Sequence, residues 1–300
     1  MSSKNPLPAI AIQTTVAVLV VVAVVWACGR DGVARWRVPV TILVAALAFL
    51  INWIAFVPAF AMRTERFYDL IGGLTYLSVT AAALLAAGAT DTRALILAGL
   101  IAIWATRLGL FLFRRVHADG GDGRFDEVKQ SGSRFFFAWT LQAVWVVLTL
   151  AAALTAITAA HPTPVGAWFV VGVAVWVLGF AIEVVADRQK RAFRSNPDRK
   201  TEFICTGLWA WSRHPNYFGE IVLWIGIAIA AAPTFRGLEW IALVSPVFVI
   251  VLLTRGSGVP ILEKRADAKW GGQPEYERYK ARTPVLILWP WTGRRGDVEA

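Results

Sequence analysis

Residues 206–226 read TGLWAWSRHPNYFGEIVLWIG, so that Arg213, His214, Asn216, Tyr217 and Glu220 crowd the mouth of an otherwise apolar run. Pro215 suits the first position of a helix, where a missing N–H costs nothing. His214 then falls at the N-cap, and the N–H groups of Asn216, Tyr217 and Phe218 point outward without helical partners. A helix N-terminus beside Arg213 suits an anion such as phosphate. Asn216 and Glu220 stand four apart and share a face, with Tyr217 alongside. One turn inside a greasy helix, Glu220 needs a donor: an arginine, an amide or a ligand hydroxyl.

Just upstream, GFAIEVVADRQKRAFRS places Glu183 and Asp187 four apart on one helical face. If that helix continues, Lys190, Arg191 and Arg194 extend the face, acidic first and basic afterwards. Such a stripe would solvate a ligand with hydroxyls at one end and phosphates at the other. An interfacial helix end laced with its own salt bridges fits the same residues. Arg107 lies in the middle of LIAIWATRLGLFLF, where a charge by default marks function or a pairing. The tail adds Glu263, Lys264 and Arg265, then PEYERYKARTP with Tyr276, Tyr279, Lys280 and Arg282. Its alternation of aromatic and basic residues suits either stacking on an adenine or a helix lying on a membrane surface.

The elements that must carry these groups follow from composition. The chain has 300 residues, is 57% hydrophobic with 17% charged residues, and has a mean hydropathy of +0.57. Windows such as Ile10–Ala27, Pro39–Ala61, Ala94–Leu112, Val144–Ala160 and Val165–Ala186 are nearly free of charge and of bilayer-crossing length. In lipid each satisfies its backbone only as a helix. The expected fold is therefore all-α, a polytopic bundle of about seven or eight transmembrane helices. The spans fall near 8–28, 38–60, 68–88, 94–113, 136–160, 165–186, 217–232 and 238–254. Residues 1–300 read as one integral membrane domain with no internal repeat. The first run follows only Lys4, is long for a signal-peptide core and shows no clear cleavage site, so it reads as a retained span.

Three polar segments interrupt the pattern: 114–134, 187–214 and everything after Arg255. With an even number of spans and the N-terminus inside, all three face the cytoplasm. Roughly two dozen of the 30 lysines and arginines then lie on that side, leaving Arg30, Arg35, Arg37, Arg93 and Arg236 outside. The net charge of +10 thus belongs to one face, beside anionic lipid. The localisation expected is a bacterial inner membrane with the polar site facing the cytoplasm. Cys28 and Cys205 match no metal or redox spacing, the three histidines offer no metal-ligand spacing, and no G-x-G-x-x-G follows a strand.

E-x-x-x-D-x-Q (183–189), T-G-L-W (206–209), R-H-P-N-Y-F-G-E (213–220) and Y-x-x-Y-K-x-x-T-P (276–284) occur in this order. Together they resemble the signature of the membrane reductases that include steroid 5α-reductases, and most closely the bacterial branch known as DUF1295. The resemblance covers residues 60–290, with 1–37 as an added N-terminal helix. It implies a bundle enclosing NADPH near the cytoplasmic face, with an apolar substrate entering from lipid. Residue by residue, it implies that Glu183, Asp187 and Arg194 line the nucleotide, that Asn216 and Glu220 hold the nicotinamide end, and that Arg107 contacts the cofactor. From the reading of the helix start above, Arg213, His214 and Tyr217 join that set, and the resemblance adds Arg265 and Tyr279 as contacts from the tail.

The chemistry implied is reduction of a C=C bond conjugated to a carbonyl in a lipid-like substrate, steroid or other isoprenoid or enoyl compound. A protein acid must polarise the carbonyl as enolate charge develops. Glu65 matches the family's glutamate. The family's tyrosine falls on Trp104, which donates a hydrogen bond but relays no proton, so Tyr68 or Tyr76 would have to substitute. A rival reading is an S-adenosylmethionine-dependent methyltransferase resembling the isoprenylcysteine carboxyl methyltransferases, which share R-H-P-x-Y and a following glutamate. No nucleic-acid partner is expected, and no particular oligomeric state.

Overall fold

The computed structural model describes residues 7–199 and 201–289, apart from the side chain of Asp119. The helices are α1 (Leu7–Cys28), α2 (Val40–Ala61), α3 (Tyr68–Ala87), α4 (Thr92–Asp119), α5 (Gly132–Ile157), α6 (Ala167–Ser195), α7 (Pro215–Ala231), α8 (Val244–Arg255), α9 (Val259–Trp270) and α10 (Pro274–Arg282). Among the described residues, eight stretches are long and apolar enough to cross a membrane, as an integral membrane protein requires. They fall where the expected spans do, α7 reaching 20 residues with its closing 3-10 turn and the eighth, Gly237–Trp270, running past the expected end at 254. The sole sheet among the described residues is a two-residue hairpin, β1 (Ala34–Arg35) with β2 (Val38–Pro39). Its turn residues Trp36 and Arg37 take φ of 51° and 65°, the left-handed pair that matches strand twist.

The chain divides into two compact units, 1–170 with 227–245 and 171–226 with 246–300. In the first, α5 is the central helix: its apolar window is 89% buried, against 17–39% for the windows of α1 to α4. The reason is its sequence, where Ala151, Ala152, Ala153 and Ala156 let neighbours approach on every side. Polar side chains stitch the helices where lipid offers no partner. Asn52 of α2 donates to Thr75 Oγ1 of α3 at 3.2 Å, and Gln142 of α5 donates to the Tyr68 carbonyl at 2.9 Å. Gly72 makes the second bond possible, because a Cβ there would lie 2.6 Å from the Gln142 amide nitrogen.

The second unit is organised by α6 and the start of α7. Gly172 and Gly179 stand seven apart on α6, and Gly219 and Gly226 seven apart on α7. A Cβ at Gly179 would lie 2.4 Å from Leu223 N, one at Gly219 2.6 Å from Glu183 N, and one at Gly226 2.5 Å from Trp176 N. The two helices therefore meet backbone to backbone, the close approach that small residues permit in membranes.

α6 also outruns its expected length. The polar stretch from Asp187 onward begins as helix and remains helical to Ser195, not as a loop. Its 29 residues span about 43 Å, against a hydrocarbon core of about 30 Å. Measured from Ala167, Asp187 lies about 30 Å along and Arg194 about 40 Å, so the acidic pair ends the apolar stretch and the basic residues project beyond it.

A candidate cofactor site at the start of α7

The family-like motifs interlock within the second unit. Gly207 takes φ 63° at the head of a 3-10 turn, Gly207–Ala210, and a Cβ there would strike the Gln189 amide at 2.6 Å. Gln189 Oε1 instead accepts from Leu208 N at 3.0 Å, and Trp209 Nε1 donates to the Ala186 carbonyl at 3.1 Å. E-x-x-x-D-x-Q thus reads T-G-L-W directly. The closing motif grips from the other side. Tyr279 donates its hydroxyl to the Trp209 carbonyl at 2.7 Å, while Tyr276 and Lys280 share Asp267 Oδ1 at 2.9 and 2.6 Å. Arg213 N donates to the Pro284 carbonyl at 2.9 Å. Burial pushes the Tyr279 phenol well up, so it stays a donor at any working pH.

Within this clamp lie the polar groups. Glu183, Asp187, His214 and Glu220 are all buried, at 2%, 6%, 5% and 8% exposure. Asn216 Nδ2 donates to Asp187 Oδ1 at 3.2 Å, joining the first turn of α7 to the acidic face of α6. The Glu183 backbone packs against Gly219, the residue before Glu220, at the same helix crossing. Lys190 stands 4.5 Å over the Trp209 ring, and Arg191 and Arg194 are exposed farther along α6.

His214 is the N-cap residue of α7 as expected, its carbonyl accepting from Phe218 N at 3.1 Å. The anion expected beside Arg213 comes from the chain itself. Glu263 of α9 accepts from Arg213 Nη1 at 2.6 Å through one oxygen and faces His214 Nε2 at 2.7 Å through the other. Arg213 and His214 are accordingly not an open phosphate cradle, a correction to the reading of these two residues. The ring of Tyr217 stacks on His214, centroids 5.7 Å apart at 13°. Burial, outweighing the support of Glu263, lowers the imidazole below its ordinary range and keeps it neutral near pH 7. Three buried polar atoms here have no partner among the described residues: Arg213 Nε, His214 Nδ1 and Asn216 Oδ1. One donor and two acceptors thus retain hydrogen-bonding capacity within four consecutive residues.

Sequence reasoning named Glu263 in the tail but gave it no place beside Arg213 and His214; no local spacing links positions 50 apart. Arg265, on the same helix, is exposed, and Tyr279 serves the clamp.

The other expected residues belong to the first unit. Arg107 is half-buried on α4, 5.4 Å from the Phe111 ring centroid. Glu65 accepts from Lys129 Nζ at 2.9 Å and from Asp122 N at 3.0 Å. Burial alone would raise its carboxyl, but these two donors outweigh it and hold Glu65 below the usual carboxylate range. That corrects its assignment as the acid: an ion-paired carboxylate anchoring the 120–131 segment is no proton donor. Tyr68 donates to the Ala138 carbonyl at 2.9 Å, which commits its hydroxyl to the main chain. Trp104 packs edge-on against Tyr76 at 5.0 Å, and Tyr76 follows Tyr68 by eight residues, about 12 Å along α3. Glu65, Tyr68 and Trp104 therefore do not form one cluster. No group of three His, Cys, Asp or Glu suited to a metal occurs among the described residues.

Comparison with known proteins agrees with the motifs. A protein of Schizosaccharomyces pombe (strain 972), itself described as uncharacterized, is 25% identical over 167 residues. That match takes in 47% of this chain and 48% of the yeast protein, so the chain spans about half the length of this relative. No solved structure matches. The profile of the family described as "Protein of unknown function (DUF1295)" matches residues 55–283, and the chain belongs to that family.

Proposed function

We propose that this protein is an NADPH-dependent membrane reductase acting on a C=C bond conjugated to a carbonyl in a lipid-like substrate. The observation that carries the reading is the Asp187–Asn216 junction. There a buried carboxylate of α6 meets an amide of α7 that keeps an unused oxygen, two residues from a buried histidine whose Nδ1 also has no partner among the described residues. A dinucleotide fits this donor set. Its hydroxyls and carboxamide suit Glu183, Asp187, Asn216 and Glu220, which accept, and its phosphates suit Lys190, Arg191 and Arg194 at the polar end of α6. When bound, NADPH supplies a hydride. The resemblance to steroid 5α-reductases noted in the sequence supports the same reading.

The chain's own part is to orient the cofactor and exclude water. Positive charge on α6 and in the tail supports a site facing the cytoplasm, by the positive-inside rule, in a bacterial inner membrane.

Thermal unfolding in mild detergent tests the proposal. NADPH at 100 times its Kd stabilises a binding protein by about 2.7 kcal/mol. The wild type is expected to gain this from NADPH and not from S-adenosylmethionine, and mass spectrometry of the purified protein is expected to find bound nucleotide. Stabilisation by S-adenosylmethionine alone would replace the reductase with the methyltransferase reading.

A further inference from the structure

The Glu263–His214 pair has a consequence for hydrogen-bond polarity at the site. A carboxylate only accepts, so the proton between Glu263 Oε1 and His214 Nε2 resides on the nitrogen. A neutral imidazole protonated at Nε2 carries its lone pair at Nδ1. Arg213, gripping the second carboxylate oxygen, fixes the orientation of Glu263. The stacked Tyr217 ring fixes the plane of the imidazole. Nδ1 is then a buried acceptor with no partner among the described residues, two positions from the similarly placed Asn216 Oδ1.

We propose that Glu263 is a positioning residue that sets the His214 tautomer, so that His214 Nδ1 accepts a hydrogen bond from an N–H or O–H group of the bound cofactor. The charged groups around the imidazole are Glu263 of α9, Lys190 of α6 and the adjacent Arg213. Two cations and one carboxylate leave a further proton on the ring unfavourable, in keeping with an acceptor role. The inference rests on the cofactor reading above for the identity of the ligand, but the tautomer does not depend on it.

The chain has three histidines, so ring-15N NMR of the full-length protein in detergent resolves His214 once His117→Gln and His161→Gln spectra identify the other two. Without ligand, His214 is expected as the Nε2–H tautomer with bare Nδ1. On saturation with NADPH, the Nδ1 resonance should move to a hydrogen-bonded position while Nε2 stays. Glu263→Gln should mix the tautomers and weaken NADPH binding about tenfold. His214→Asn keeps an acceptor near the Nδ1 position and should bind NADPH more tightly than His214→Gln, which reaches Glu263 but lacks that acceptor. Ligand-free melting temperatures identify any variant that fails to fold.

An Nδ1–H tautomer, an Nδ1 signal unmoved by bound ligand, or wild-type affinity in Glu263→Gln and His214→Gln would each overturn the proposal. S-adenosylmethionine is the second probe. If it alone binds and moves Nδ1, Glu263 keeps its role and the reductase reading falls. If neither probe stabilises the wild type, the cofactor reading fails and the ligand half of this inference with it, while the ligand-free spectrum still decides the tautomer.

Discussion

Two buried arginine sites, one in each unit, use the same group for opposite ends. Arg93 is 2% exposed in the first unit, and its guanidinium is spread over main-chain carbonyls: Ala230, Pro164 at 2.9 Å and Thr163 at 3.3 Å, with the Phe169 ring 5.1 Å away. These hydrogen-bond partners are neutral carbonyls, and the one from Ala230 belongs to the last turn of α7, where a cation is favoured. Arg213 in the second unit instead meets a carboxylate that also serves a histidine, and its Nε remains unmatched. A buried charge resolved on the backbone holds architecture together. A buried charge resolved on other side chains, with capacity left over, is arranged to meet something else.

The sharpest way to break this contrast is Arg93→Ala. It leaves three main-chain carbonyls without their donor, at about 1–3 kcal/mol each, and is expected to lower the detergent melting temperature or the yield outright. Molecules that fold should bind NADPH as the wild type does. A wild-type melting temperature would erase the distinction. Gly219→Ala comes next. Its Cβ would press on the backbone at Glu183, with an expected cost of about 1–3 kcal/mol and a loss of NADPH affinity. Asn216→Ala should reverse the pattern, losing at least about 1.4 kcal/mol of NADPH binding, tenfold in Kd by titration, while unfolding within about 1 kcal/mol of wild type.

A smaller effect should appear with pH. The folded-state pKa of His214 is depressed, so the folded protein binds fewer protons than the unfolded chain. Its contribution to stability is then full above the ordinary histidine value of about 6.5 and declines as pH falls through and below it. Melting curves between pH 7.5 and 5 should show this slope, flattened in His214→Gln. Smallest of all is Arg265→Ala, at an exposed position of α9, expected within about 0.5 kcal/mol of wild type for both melting and NADPH binding. A clear loss of affinity there would restore Arg265 as a cofactor contact.

The spans were legible because lipid imposes a length and a composition on any helix that crosses it. The helix N-terminus at Pro215 was legible for a local reason, proline's tolerance for the first turn. The extension of α6 was visible only as a condition, since the eight mostly polar residues after Asp187 read equally well as loop. What stayed hidden were pairings between distant positions. Lys129 lies 64 residues from Glu65, and the ion pair that removes Glu65 from acid chemistry leaves no trace in either neighbourhood. Glu263 is similar: a carboxylate among lysines on a polar helix looks like surface until the fold sets it against His214. Gln189 sat within a quoted motif, but its reason, a glycine turn 18 residues later, needed coordinates.

The glycine pairs along the α6–α7 crossing carry one last implication. Where two main chains touch, their separation is set by atomic radii, and no rotamer change can widen or narrow it. Asp187 and Asn216 are mounted on that seam, so a thicker or thinner bilayer would tilt the pair as one rigid plate and leave the gap between them unaltered. Binding at this junction should therefore be indifferent to acyl-chain length in the surrounding lipid.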